Sequence, residues 1–133
     1  LRLEERMYFD SWSIISSTTD FRYLMDLNKR IRVWPHGRFN WQTAADFYQR
    51  AYVAETVGGK VTVPLYRTGD REDSPMMTIT AGGGARLGLG NLEAETKAGL
   101  TWAVDMMYSY FFDSLFVTQR TALYSTLAFD VEF

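Results

Sequence analysis

Residues 99–110, GLTWAVDMMYSY, alternate between two kinds of side chain. Every second position from Leu100 to Tyr110 is apolar or aromatic, and the positions between them are small or polar apart from Met107. A period of two places the two sets on opposite faces of a β-strand. This segment therefore predicts a long strand with one apolar face, and it indicates an all-β protein.

The same alternation extends to five further segments. Residues 30–42 carry apolar side chains at odd positions and mostly polar ones at even positions. The final segment, 120–133, alternates as far as its last residue, Phe133. A less regular alternation is present in residues 3–9, 15–26 and 76–89. The sequence thus predicts six strands, most of them long.

The connections between these strands differ in length. Residues 26–30 (DLNKR) predict a tight turn, and residues 88–95 (GLGNLEAE) predict a short one with Gly and Asn as turn residues. Residues 44–75 form a long loop, and the connections near 10–14 and 111–116 fall on the same side as that loop. An up-and-down order therefore puts the tight turns at one end of the strands and the long loop at the other.

Composition excludes several classes of protein. The length of 133 residues suits one domain, and a net charge of −2 with a pI of about 5.4 provides no basic surface for nucleic acid. The absence of cysteine excludes disulfides and thiolate metal sites. No apolar run reaches the ~20 residues of a membrane helix. The many aromatic side chains, 16% of the total, must therefore be distributed along strand faces.

Two architectures place one apolar face on long antiparallel strands. A soluble β-sandwich buries that face against a second sheet, whereas a transmembrane β-barrel turns it towards lipid. The longest segments exceed the ~5–6 residues usual in soluble strands and reach the ~9–11 residues of membrane strands. Turns of unequal length and mixed charges on the polar face also favour the barrel. We predict an antiparallel up-and-down transmembrane β-barrel, with the sandwich as the alternative.

Six strands are too few to close a barrel, which has at least eight, so either another chain supplies strands or these residues are part of a larger barrel. The start at Leu1, without an initiator Met, favours the second. We therefore expect residues 1–133 to be the C-terminal part of one larger outer-membrane barrel domain, with residues 44–75 as a long extracellular loop.

In the segment TAGGGARLGLG (80–90), glycines would relieve crowding and leave room for neighbouring side chains. Pro35 cannot donate a ladder hydrogen bond, so it predicts a bulge or a bend.

In the barrel interpretation, the polar face lines the lumen. These side chains either line an aqueous pore or form cross-strand ion pairs, and the interspersed signs slightly favour ion pairs. The predicted lumen-facing polar residues are Arg22, Arg32, His36, Arg38, Arg86, Asp105, Arg120 and Asp130, within a wider set that includes Glu4, Arg6, Asp20 and Asp26.

His36 is the only histidine of the chain. A catalytic role would require a partner carboxylate and a nucleophile within reach, and a metal site would require further ligands. A hydrogen-bonding residue of the lumen is the favoured interpretation. We expect no catalytic residue, no metal ligand and no cofactor.

The apolar face supplies the predicted contacts with lipid. The expected lipid-facing or girdle residues are Trp41, Trp102, Tyr108, Tyr110 and Phe129. The alternating end of the chain is similar to the C-terminal recognition strand of outer-membrane proteins, which implies that Phe129, Val131 and Phe133 form an assembly signal. Deletion of Phe133 should then impair membrane insertion more than intrinsic stability.

Two short motifs resemble a known family. The first, in RMYFDSW, comprises Arg6, Tyr8, Asp10, Ser11 and Trp12, and the second, in QTAADFY, comprises Gln42, Ala44, Ala45, Asp46, Phe47 and Tyr48. Over roughly residues 2–50 the chain resembles an uncharacterised outer-membrane β-barrel family of Gram-negative bacteria, classed as a domain of unknown function. The AADFY segment is interpreted as an aromatic girdle at the rim or as a ligand-contacting loop entrance, with the girdle favoured.

The resemblance implies a location in the outer membrane and no established activity. It implies outer-membrane lipid and the barrel-assembly machinery as partners, together with a lipoprotein or another envelope protein. The expected function is a non-enzymatic barrel that acts as a pore or as a scaffold in an envelope electron-transfer or transport assembly. The alternative is a soluble β-sandwich that serves as a binding or adhesion module.

Overall fold

The computed structural model describes residues 1–89 and 97–132, and most of them lie in β-strands. The strands are β1 (Arg2–Phe9), β2 (Ile15–Arg22), β3 (Met25–Asp26), β4 (Ile31–Gln42), β5 (Glu55–Val57), β6 (Lys60–Thr62), β7 (Met76–Leu89), β8 (Lys97–Phe111) and β9 (Gln119–Glu132). One antiparallel sheet has the order β1-β2-β4-β7-β8-β9, with β3 beside β4, and β5 and β6 form a separate hairpin. The predicted all-β, antiparallel, up-and-down arrangement is confirmed.

The six predicted strands correspond closely to the strands of the main sheet. The segment 99–110 lies inside β8, and the segment 76–89 coincides with β7. The predicted strand 15–26 is divided into β2 and β3. Phe133 and residues 90–96, which include most of the predicted short turn, lie outside the described residues.

Pro35 accounts for the division between β2 and β3. The pairing of Arg22 with His36 and that of Met25 with Val33 belong to one continuous register. Between them Pro35 has no N–H to donate, and its carbonyl accepts a hydrogen bond from the Tyr23 N–H at 3.2 Å. The ladder to β2 is therefore interrupted at Pro35 without a bulge, whereas the ladder to β7 continues through it.

The three predicted loops of one side meet at the same end of the sheet, which we call the rim. The amide of Ala45 donates to the Asp73 carbonyl, that of Asp46 to the Trp12 carbonyl, and that of Phe112 to the Pro75 carbonyl, at 2.9–3.0 Å. At the opposite end, the Asn28 side chain of the turn 26–30 accepts hydrogen bonds from the backbone amides of Arg30 and Ile31. The predicted difference between the two ends is confirmed for these segments.

The register assigns each strand residue to one of two faces, because directly opposed residues share a face. The polar face contains His36 of β4, Gly82 of β7 and Asp105 of β8, which lie opposite one another in one row. The apolar face contains the odd-numbered residues of β4 and β7 and the even-numbered residues of β8, including Trp102. The two faces predicted from the alternation are therefore the two faces of a single sheet.

Burial in this sheet is the reverse of burial in an ordinary soluble domain. Among the described strand residues, those that are buried all lie on the polar face: Asp20, Gly99, Ser109 and Phe111. Large side chains of the apolar face are exposed, with Trp102 57%, Phe129 64% and Leu127 69% accessible. In the described parts of the chain, the buried hydrophobic residues are only Ala45 and Phe111. The sheet thus has no conventional apolar core.

The described sheet is open, with β1 and β9 at its two edges. Strands β8 and β9 pair side by side over 14 residues of each, from Lys97 opposite Glu132 to Tyr110 opposite Gln119. Their apolar faces therefore lie next to each other in one sheet rather than packing face to face as a sandwich would require. In residues 1–89 and 97–132, no helix has the length and apolar character needed to cross a membrane.

Candidate functional site

His36 is the centre of a hydrogen-bonded cluster on the polar face. Its Nε2 lies 3.1 Å from Oδ2 of Asp20, and its Nδ1 lies 3.2 Å from Oδ1 of Asp105. Arg38 donates to the same Asp20 oxygen from Nε at 3.0 Å and from Nη2 at 2.8 Å. Because both ring nitrogens face carboxylates, His36 can donate to both only as an imidazolium. The cluster links β2, β4 and β8.

The contact between His36 and Asp105 passes over β7, which separates their strands. Gly82 lies directly between them in the register. A Cβ on Gly82 would overlap the Val104 carbonyl oxygen and the Asp105 side chain, and it would lie 2.7 Å from the Asp105 Cα. Only glycine leaves room at this position for the contact between β4 and β8.

A second contact also skips a strand. Arg86 of β7 pairs with Asp130 of β9 across β8, with Nε 3.4 Å from Oδ1 and a closer contact from Nη2 to Oδ2. Its guanidinium lies over Gly99, where a Cβ would be 2.6 Å from Nη2. Trp34 occupies the corresponding space over Gly84. The prediction that glycines of residues 80–90 leave room for neighbouring side chains is confirmed at Gly82 and Gly84.

The eight predicted lumen-facing residues all lie on the polar face, and most of them are brought into ion pairs. Arg32 pairs with Asp26, and Arg120 pairs with Glu72 of the long loop at 2.8 Å. Arg120 also stacks on Phe111, its Cζ 5.9 Å from the ring centroid. The exception is Arg22, which has no ion pair to a described residue. Ion pairs thus connect strands with one another and with the long loop, and the lining of an aqueous pore by this face stays a prediction.

The five predicted lipid-facing side chains all lie on the apolar face, at Trp41, Trp102, Tyr108, Tyr110 and Phe129. Trp102 donates to Ser125 Oγ at 3.1 Å, and the Tyr108 hydroxyl donates to Gln119 at 2.9 Å. Val131, one of the predicted assembly-signal residues, shares this face with Phe129. The structure therefore groups these side chains on one surface, as the alternation predicted.

The two family-like motifs meet at the rim. The Asp10 carboxylate caps the first motif by accepting from the backbone amides of Trp12 and Ile14 at 2.9 and 3.0 Å. The Trp12 ring contacts Phe47 edge to face at 5.8 Å. Ser13, which has a φ of 64°, donates from Oγ to Asp46 at 2.5 Å. These contacts hold the AADFY segment against the β1–β2 loop.

The second motif also anchors the long loop. Gln42 donates from Nε2 to the carbonyls of Glu72 and Ser74 at 2.7 and 3.1 Å. Tyr48 donates to the Asp113 carbonyl, and Arg50 pairs with the Asp113 carboxylate. Burial, together with the nearby Asp113 carboxylate, raises the pKa of Tyr48, which keeps its hydroxyl a donor. The motif thus joins β4, the long loop and the β8–β9 loop.

Several of these relationships were not predicted from the sequence. Glu72 as the partner of Arg120, Trp34 over Gly84 and the Tyr48–Asp113 contact each join residues that are distant along the chain. For the contacts that skip a strand, the one available signal is a glycine between polar side chains of its two neighbouring strands, and it is visible only when the register is known. Over residues 1–89 and 97–132, no group of three or more His, Asp or Glu is arranged to hold a metal ion.

Comparison with known proteins gives one match. The family model described as "Protein of unknown function (DUF3570)" matches residues 1–82, which is more than half of the chain. The matched segment contains both rim motifs, β1 to β6 and the first half of β7. No curated protein and no solved structure matches the chain.

Proposed function

The chain belongs to the DUF3570 family of proteins of unknown function, and from that premise we propose that it forms the wall of a non-enzymatic transmembrane β-barrel. In this proposal the barrel lies in the outer membrane of a Gram-negative bacterium and acts as a pore or as a scaffold that holds a partner. The apolar face contacts lipid, and the polar face lines the lumen.

One observation carries the proposal: the sheet exposes its large apolar side chains, and the strand residues that it buries lie on its polar face. Asp20 is 7% accessible, whereas Leu123 and Leu127 of β9 are 72% and 69% accessible. A monomeric soluble protein seldom leaves so large an apolar surface in contact with water. In a membrane barrel this distribution is required, because lipid surrounds the outer face and water or polar groups fill the lumen.

The dimensions of the strands suit a membrane. Strand β7 has 14 residues and β8 has 15. At about 3.3 Å per residue and a tilt of about 40°, a strand of 14 residues spans roughly 35 Å along the membrane normal. That length exceeds the ~25 Å apolar band of an outer-membrane barrel and extends the strand into both interfaces.

The open edges imply further strands in the complete barrel. Backbone groups at the free edges of β1 and β9 would be unsatisfied in lipid, so the proposal requires strands that pair with both. The proposed partners are outer-membrane lipid, the barrel-assembly machinery acting on the segment that contains Phe129, Val131 and Phe133, and a lipoprotein or another envelope protein at the rim or in the lumen.

Tryptophan quenching by brominated lipid tests the proposed orientation. Two single-tryptophan proteins are compared in vesicles, one retaining Trp102 on the apolar face and the other retaining Trp34 on the polar face, with Phe at the other tryptophan positions. We expect strong quenching of Trp102 and little quenching of Trp34. The soluble alternative predicts a water-soluble monomer in which brominated lipid quenches neither residue, and that result would refute the proposed function.

A further inference from the structure

Arg22 differs from the other arginines in the strands of the main sheet. The other six each contact a carboxylate: Arg2 and Arg6 contact Glu4, Arg32 contacts Asp26, Arg38 contacts Asp20, Arg86 contacts Asp130, and Arg120 contacts Glu72. The guanidinium of Arg22 makes no hydrogen bond and no ion pair with any residue in the described ranges. Its Nε is nevertheless buried.

The surroundings of Arg22 explain why it lacks a partner. The residues directly opposite it are Arg2 on β1 and His36 on β4, and neither side chain brings a negative charge. Asp20, the carboxylate two positions along the same strand, already faces Arg38 and His36. Asp105 is likewise occupied by His36. Both nearby carboxylates therefore already have partners, and Arg22 remains a positive charge without a carboxylate partner among the described residues.

The geometry of the side chain leaves its outer nitrogens available. Nε is enclosed, while the two terminal nitrogens are neither partnered nor among the buried unpartnered atoms of the described residues. They are therefore not fully enclosed on the polar face. A guanidinium presents parallel N–H groups that match the spacing of two oxygens in a phosphate or a carboxylate. A spherical anion such as chloride cannot use this fork in the same way.

We propose that Arg22 is the anchor of an oxyanion-binding site on the polar face. The ligand is a molecule or group that carries a phosphate or a carboxylate, and two of its oxygens accept hydrogen bonds from the Arg22 guanidinium. Arg2 and His36 lie on either side of Arg22 in the same row, and neither supplies a carboxylate that would compete with the ligand. The site rests on the proposed function only for its route of access, which would be the barrel lumen.

Calorimetric titration of the detergent-solubilised protein tests the site, with inorganic phosphate and succinate as probes at constant chloride. We expect saturable binding to the unaltered protein and at least about tenfold weaker binding to Arg22→Gln, since a charge-assisted bidentate contact is lost. Arg32→Gln is the matched control, because it removes the same charge from the same face where Asp26 already pairs with it. Its affinity should stay within about twofold of the unaltered value.

Arg22→Lys provides a second variant that keeps the charge and loses the fork. It should bind phosphate more weakly and lose the preference for oxyanions over chloride. Binding of phosphate alone assigns the ligand class to phosphates, and binding of both probes assigns it to oxyanions in general. The proposal is overturned if neither probe binds saturably, or if Arg32→Gln weakens binding as much as Arg22→Gln.

Failure of this site is distinguishable from failure of the proposed function. The tryptophan-quenching experiment reports only on the apolar face, and the titration reports only on Arg22. Quenching of Trp102 without oxyanion binding would refute the proposed site and support the proposed barrel. Oxyanion binding by a water-soluble monomer would support the proposed site and refute the proposed barrel.

Discussion

His36 and Asp105 are 69 residues apart in the chain, and their side chains meet at 3.2 Å although a complete strand lies between them. The space for this contact comes from Gly82, which presents only hydrogen atoms to the polar face. The same arrangement recurs with Arg86 and Asp130 on the two sides of Gly99. In this sheet, therefore, ion pairs connect alternate strands as well as adjacent ones, which ties together strands that share no backbone hydrogen bonds.

Replacement of Gly82 by alanine should destabilise the protein. The added Cβ would overlap backbone and side-chain atoms of β8, and relieving that overlap should cost about 1–3 kcal/mol of the free energy of unfolding. Gly37→Ala is the matched control, because the nearest atom to its Cβ would be 3.9 Å away. Urea unfolding in detergent measures both; equal losses of stability would show that the space over Gly82 is not required.

The His36–Asp20 contact should be stronger than the Arg86–Asp130 contact. The side chains of the first pair are each 10% accessible, and those of the second are 39% and 41% accessible. Double-mutant cycles should give a coupling of about 1.5–3 kcal/mol for the buried pair and about 0.2–1 kcal/mol for the more exposed pair. The measured quantity is the free energy of unfolding of single and double variants, and similar couplings would contradict the role assigned to burial.

Gln42→Leu should release the long loop from the rim. The substitution removes the hydrogen bonds to the carbonyls of Glu72 and Ser74, a loss of about 1 kcal/mol that corresponds to about fivefold more open loop. Trypsin cleavage within residues 44–75 should accelerate accordingly. In Asn40→Leu, which disturbs contacts between β2 and β4, loop cleavage should be unchanged, and equal acceleration in both variants would exclude a specific anchor at Gln42.

Arginine substitutions at two adjacent positions of β9 should differ sharply in a membrane. Leu127 lies on the apolar face and Thr126 on the polar face. Arg at 127 should oppose insertion by up to about 2–4 kcal/mol, whereas Arg at 126 should be tolerated in the lumen. The measurement is the fraction of protein that folds into lipid vesicles, scored by heat-modifiable gel mobility. If both variants insert equally well, position 127 does not face lipid.

The strands and their faces were predictable because they depend on local order. Alternation in residues 99–110 places Trp102 and Asp105 on opposite faces whatever strand lies beside them, since a pleated chain has a period of two. The short turn at 26–30 likewise brings its two flanking strands together as neighbours. Pro35 predicted an irregularity in the strand pairing. Because proline has no N–H to donate, the hydrogen-bond ladder to β2 is interrupted at this residue.

Tertiary structure alone determined which polar residues meet. The alternation assigned His36, Arg22 and Asp105 to one face without showing their distances, because a contact across strands depends on the register. A shift of two residues in the pairing of β4 with β7 would keep every face unchanged and would move Gly82 away from His36. The register thus leaves Arg22 beside Arg2 and His36 while its neighbour Asp20 is engaged elsewhere, and it makes this arginine the free cation of the polar face in the described part of the chain.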